Sequence, residues 1–261
     1  MTSFLIAAAG AVFIYMTAVF LIALLKKDNS IVDIAWGLGF VLVALVTFFL
    51  KAGFEARHVL ITLLVAVWGI RLASHIYRRN RGRGEDFRYA KWRKEWGRWF
   101  IPRSFLQVFM LQGIFMLLIS SPVVLVNHSL EKELSPFDAL GAVLWLVGFT
   151  FEAVGDHQLK RFKQLPESKG RLMMTGLWRY TRHPNYFGEA ALWWGIFLIA
   201  LAVPGGWVSI ISPVTISFFL LKVSGIPMLE RRYQGNAEFA AYARRTSAFF
   251  PWFPKKAKKN T

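Results

Sequence analysis

The chain has 261 residues, 55% of them hydrophobic, with 24 Phe, 11 Trp, a mean hydropathy of +0.40 and a formal net charge of +17. Apolar stretches of spanning length, separated by short basic segments, exclude a soluble single domain and indicate a polytopic membrane protein. The lack of cysteine excludes disulfides, thiolate metal ligands and thiol nucleophiles.

Seven spans are expected in chain order, at residues 3–25, 31–50, 58–77, 105–127, 137–159, 186–203 and 206–223, each near the ~20 residues a bilayer needs. Together they make one all-α membrane domain over residues 1–261. The first span lacks a basic leader and exceeds an h-region of about 7–15 residues, so it reads as a retained helix. After the third span, glycines at Gly82 and Gly84 precede Trp92, Trp96 and Trp99 among cations, a pattern for a loop leading into an interfacial helix. Residues 78–103, 160–182 and 222–261 hold 26 of the 32 Lys and Arg, whereas the alternate connections are nearly neutral. The positive-inside rule then puts the N-terminus outside and the three basic segments, with the C-terminus, in the cytoplasm. No nucleic-acid recognition module accompanies the charge. The basic tail from Pro254 to Lys259 reads as a run lying on lipid headgroups.

Several constellations carry chemistry. Asp33 opens the second span after Ser30; it is either part of a capped first turn or a proton-donating acid beside Trp36. Tyr77, at the end of the third span, is a second candidate acid. Asn80-Arg81-Gly82-Arg83-Gly84 pairs guanidinium forks with glycines that admit a phosphate to the backbone. Glu152, Asp156, Lys160 and Lys163 are spaced to line one face of the fifth span, two acids followed by two cations. Arg179, Tyr180, Arg182 and His183 lead into Pro184, whose place in a first helical turn leaves free amide donors and a positive dipole beside them. Asn185 and Glu189 share the next helical face, with Tyr186 between them. Glu230, Arg231 and Tyr242 follow the last span and emerge on the same membrane side. These residues are expected to converge on one polyanionic ligand. Five histidines without metal-ligand spacing make a metal site an unsupported reading.

The run from Gly176-Leu177-Trp178 through Arg182-His183-Pro184-Asn185-Tyr186 to Gly188-Glu189 resembles the C-terminal signature of the steroid 5-alpha-reductase superfamily, in its bacterial branch. Asp33-Ile34-Ala35-Trp36-Gly37 and Trp68-Gly69-Ile70-Arg71-Leu72 are similar to patterns of that branch, and the signature is densest over residues 150–255. The resemblance implies a seven-helix enzyme of the bacterial inner membrane that holds NADPH in a cavity open to the cytoplasm and reduces a conjugated carbon–carbon double bond in a steroid-like or isoprenoid lipid. It also implies that Asp156, Lys160, Lys163, Asn185 and Glu189 contact the cofactor, with Asn80, Arg81 and Arg83 over its phosphates. The adjacent Gln-Glu pair and the third-helix Tyr of the animal enzymes have no counterpart here. The Arg-His-Pro-x-Tyr core is similar to that of isoprenylcysteine carboxyl methyltransferases too, so S-adenosylmethionine-dependent methylation of a lipid or prenyl carboxylate is the alternative activity.

Overall fold

The computed structural model describes residues 1–51 and 53–255. Ala52, and the tail residues 256–261 expected on headgroups, lie outside the described residues. Among those described, every regular element is a helix, and an isolated parallel bridge joins Thr181 to Ser247. Six segments are long and apolar enough to cross a membrane. The chain divides into two compact units, Met1–Ala139 with Phe197–Ser212, and Leu140–Ile196 with Pro213–Thr261.

In the first unit, α1 (Thr2–Lys26), α2 (Ile31–Leu50) and α3 (Ala56–Asn80) coincide with the first three expected spans. α1 buries Ala8, Val12, Met16, Val19 and Ala23 at intervals of three and four, and turns Ile6, Phe13, Ile14 and Leu21 outward, as a helix with one face on protein and the rest on lipid would. The fourth span departs from expectation. Helical chain begins at α4 (Phe87–Trp96) and continues through α5 (Phe100–Arg103), a π-helical stretch at Ser104–Met110 and α6 (Leu111–Ile119), then breaks before α7 (Ser121–His128). Pro122 explains the break, since it lacks the N–H that would bond to Leu118 and its ring would press on that carbonyl. The helix expected after the third span is α4, whose first turn is capped by Asp86 accepting from the Arg88 amide at 3.0 Å.

α2 and α3 touch backbone to backbone. A Cβ on Gly37 would stand 2.5 Å from the Gly69 carbonyl oxygen, and one on Gly69 would collide with that of Gly37. Small residues let apolar helices approach until main-chain atoms are in contact. Phe40 and Trp68, both fully buried, close the crossing with ring centroids 5.4 Å apart. At the other end of α3, buried Arg57 grips Asp138 through Nε and Nη2 at 2.8 and 2.9 Å and also donates to the Glu133 carbonyl.

In the second unit, the long helix α8 (Pro136–Gln164) packs on α9 (Pro184–Ala200). α9 begins at the proline, as its sequence requires. With 17 residues it spans about 26 Å, short of the ~30 Å hydrocarbon core, so the sixth of the seven expected spans does not reach full length. The seventh expected span is helical throughout, from Gly206 through α10 (Ile211–Phe218) and a π-helical turn at Phe219–Val223; α11 (Ile226–Glu230) and α12 (Ala237–Arg245) follow it.

Gly69→Val should destabilise the fold, because its Cβ meets backbone that cannot rotate away; overpacking of this kind costs about 1–3 kcal/mol. Thermal unfolding in detergent should show a midpoint several degrees lower, and an unchanged midpoint would contradict the described crossing.

Candidate functional site

The second unit builds its polar face from the contact between α8 and α9. A Cβ on Gly148 would lie 2.5 Å from the Leu192 amide and 2.6 Å from the Gly188 carbonyl, so the two helices are as close here as their backbones permit. That approach sets Glu152 and Asp156, one and two turns further along α8, against the first turns of α9 that carry Asn185 and Glu189. Asn185 Nδ2 donates to Asp156 Oδ1 at 3.2 Å. Glu152 and Asp156 are buried, Asn185 and Glu189 half-buried. The Asn185 amide oxygen, by contrast, is buried without a partner, as is Nδ1 of His183. Unsatisfied polar atoms of this sort are costly unless something outside the protein completes them. Lys160 and Lys163 continue the α8 stripe and are exposed, as is Arg179.

The remaining signature residues do a different job. Arg182 is nearly buried: Nε and Nη2 lie 2.8 and 3.2 Å from the Glu230 carboxylate, and Nη1 donates to the carbonyls of Thr246 at 2.6 Å and Ala243 at 3.2 Å. His183 Nε2 adds a third contact to Glu230 at 2.9 Å, and its ring stacks on Tyr186 with centroids 5.5 Å apart. Tyr242 donates to the Trp178 carbonyl, and burial pushes its phenol well above the ordinary range, so it stays protonated and remains a donor. Trp178 in turn donates to the Gly155 carbonyl at 3.2 Å. Arg182, expected among the groups that converge on a ligand, has its guanidinium on four internal acceptor atoms. Glu230, expected at a ligand, is the centre of the same clasp. Arg231 is exposed, and Arg231 and Glu230 border an open hollow of about 620 Å³ closed by α12.

The first unit holds Asp33. Asp33 Oδ2 accepts from Arg88 Nη2 at 2.7 Å, and Asp33 Oδ1 accepts from the Tyr89 hydroxyl at 2.7 Å. Arg88 also pairs with Asp86 at 2.8 Å. Ser30 does not cap α2: its hydroxyl is bonded to Asp28 and accepts from the Asp86 amide at 2.8 Å, which staples the turn before α2 to the loop before α4. Tyr77 is 53% exposed, so it is not held as Tyr89 is, at 3%. No spacing in the sequence links Asp33 to residues 55 and 56 positions away, and the pair Arg88-Tyr89 was hidden among the charges of the interfacial segment. Asn80 closes a tight turn, its carbonyl accepting from the Arg83 amide at 2.9 Å, and Arg81 and Arg83 are exposed at its tip.

Among the described residues, no cluster of His, Cys, Asp or Glu could hold a metal ion. Replacing Arg182 by Gln should lower stability by roughly 2–3 kcal/mol, since it strips charged hydrogen bonds from Glu230 and leaves two carbonyls unpaired. Denaturation in detergent would register the loss; full stability would contradict the clasp.

Residues 19–246 match the family described as Protein of unknown function (DUF1295). The chain is similar to an uncharacterized protein of Schizosaccharomyces pombe, 26% identical over 198 residues, which is 66% of this chain and 57% of that one. It is also similar to 3-oxo-5-alpha-steroid 4-dehydrogenase 1 of Bos taurus, 32% identical over 65 residues, and of Mus musculus, 34% identical over 65 residues. The match thus spans little more than half of the yeast protein and about a quarter of the mammalian enzymes. No solved structure matches. On the extent of the family match, the chain belongs to the DUF1295 family, which is steroid 5-alpha-reductase-like.

Proposed function

We propose that the protein is an NADPH-dependent ene-reductase of the membrane, acting on an apolar lipid whose double bond is conjugated to a carbonyl. The observation that carries this reading is the order of groups along α8 and α9: buried acceptors at Glu152, Asp156 and the unpartnered Asn185 oxygen, then the cations Lys160 and Lys163. A nicotinamide riboside offers amide and hydroxyl donors, and the attached phosphates offer negative charge, so donors meet acceptors at the deep end and phosphates meet lysines at the outer end. The extra 2′-phosphate of NADPH is favoured by a surplus of cations.

When bound, NADPH supplies a hydride to the electron-poor carbon of the alkene. The protein's own groups position and polarise. Asp33, whose two oxygens are held within the first unit by Arg88 and Tyr89, and Tyr77 are the acids this reading assigns to the substrate carbonyl. Animal relatives that carry a 3-oxo-steroid dehydrogenase name support a 3-oxo lipid as the substrate class. The cation distribution supports an N-outside topology with this face in the cytoplasm.

Asp33→Asn should reduce turnover of an α,β-unsaturated lipid ketone by about 10²–10⁴-fold, the range for loss of a general acid, with NADPH affinity unchanged. Retained turnover would remove Asp33 from the mechanism. Exchanging Lys160 and Lys163 together for Glu should weaken NADPH binding by at least tenfold while the protein stays folded, since both side chains are exposed. Equal affinity would mean that the stripe does not face the phosphates.

A further inference from the structure

The chain after α12 is a strap, residues 246–255, held to its own unit at several points. Arg182 donates its amide to the Ser247 carbonyl at 2.8 Å, and the Thr181 hydroxyl donates to the Phe249 carbonyl at 2.9 Å. Trp252 donates its amide to the Tyr180 carbonyl at 2.9 Å, and Lys255 donates to the Arg245 carbonyl at 2.9 Å. Yet Phe250, Trp252 and Phe253 on this strap are 69%, 74% and 77% exposed. A backbone fixed this firmly, presenting three bare aromatic side chains, is built for something that covers them.

Two observations identify the cover. The first is depth. The strap bonds to residues two to four positions before Pro184, where α9 starts, and Phe249 and Phe250 reach Phe187, one turn inside that apolar helix, with centroids 5.9 and 6.1 Å away. It therefore lies at the level where an apolar helix meets the polar zone, the depth at which tryptophan and other aromatics gather in membranes. The second is charge. Beside the aromatics is a hollow of about 480 Å³ lined by Arg244, Arg245 and Lys255, all exposed, and no carboxylate is part of its lining. Among the described residues, none of these three side chains forms an ion pair. Rings at interfacial depth with unpaired cations above them suit a glycerophospholipid of net negative charge, acyl chains on the rings and phosphate on the cations.

We infer that the strap is a binding site for an anionic phospholipid, with Phe250, Trp252 and Phe253 contacting acyl chain and Arg244, Arg245 and Lys255 contacting the headgroup phosphate. The inference does not rest on the reductase reading, and its test reads lipid contact without any turnover.

Full-length protein in nanodiscs of phosphatidylcholine, with or without phosphatidylglycerol, is compared with Trp252→Phe, each disc carrying lipid brominated near the headgroup. The emission that Trp252 contributes should be quenched, and more strongly when phosphatidylglycerol is present. Phosphatidylglycerol retained per protein, read by native mass spectrometry, should fall on the order of tenfold in the Arg244→Gln, Arg245→Gln, Lys255→Gln variant. The inference is overturned by Trp252 emission indifferent to brominated lipid, by unchanged retention in the folded triple variant, or by NADPH or inorganic phosphate shielding Trp252 where lipid does not. The quenching comparison stands even where the triple variant fails to fold.

Discussion

Gly148 on α8 and Gly188 on α9 face each other without side chains, and the close approach they permit is what the second unit's buried polar face depends on. Ionisable groups within an apolar span are expensive. Glu152 and Asp156 are tolerated because the neighbouring helix arrives near enough to place polar groups against them, with Asn185 bonded to Asp156. The same contact leaves the Asn185 oxygen facing no protein donor. A bulkier residue at either glycine would separate the helices, and the acids would lose both their partner and their reason to be buried. Local sequence, helix packing and the burial of polar groups are thus linked through two residues that have no side chain to contribute.

The signature around Pro184 divides its work. Its first part, Arg182 and His183, is directed inward to Glu230 and to the carbonyls that end α12, and so holds together the polar end of the unit. Its second part, Asn185 and Glu189, stands on the face shared with α8. Gly188 makes that face possible. Residues close together in sequence therefore divide between the Glu230 clasp and the face shared with α8. In the first unit Asp33 shows a comparable economy: Arg88 and Tyr89 fix both oxygens of one carboxylate, and the same α4 cap ties two loops together.

The helical architecture was legible because it rests on hydropathy and on proline, signals that act within a few residues. α1, α2 and α3 end where the apolar runs end, and α9 starts at Pro184. The fourth span was misjudged because α4 is amphipathic and charged yet runs without interruption into apolar chain, while Pro122 cuts the apolar run itself. The α8 stripe was readable from its spacing. The internal role of Arg182 was not, since a cation before a helix gives no sign that its acceptors lie 48 to 64 residues further on. Tyr89 was missed for the same reason: its partnership with Asp33 is a contact between elements, and only the packing of α4 reveals it. Arg57 and Asp138, 81 residues apart, likewise become a pair only in the folded chain.

The central proposal is that the α8 and α9 face of this DUF1295 protein receives a phosphorylated dinucleotide. Calorimetric titration of detergent-purified protein with NADPH, NADH and S-adenosylmethionine tests it most directly. The account predicts heat of binding with NADPH, weaker binding of NADH, and none with S-adenosylmethionine. Micromolar binding of S-adenosylmethionine with no heat from NADPH would contradict it.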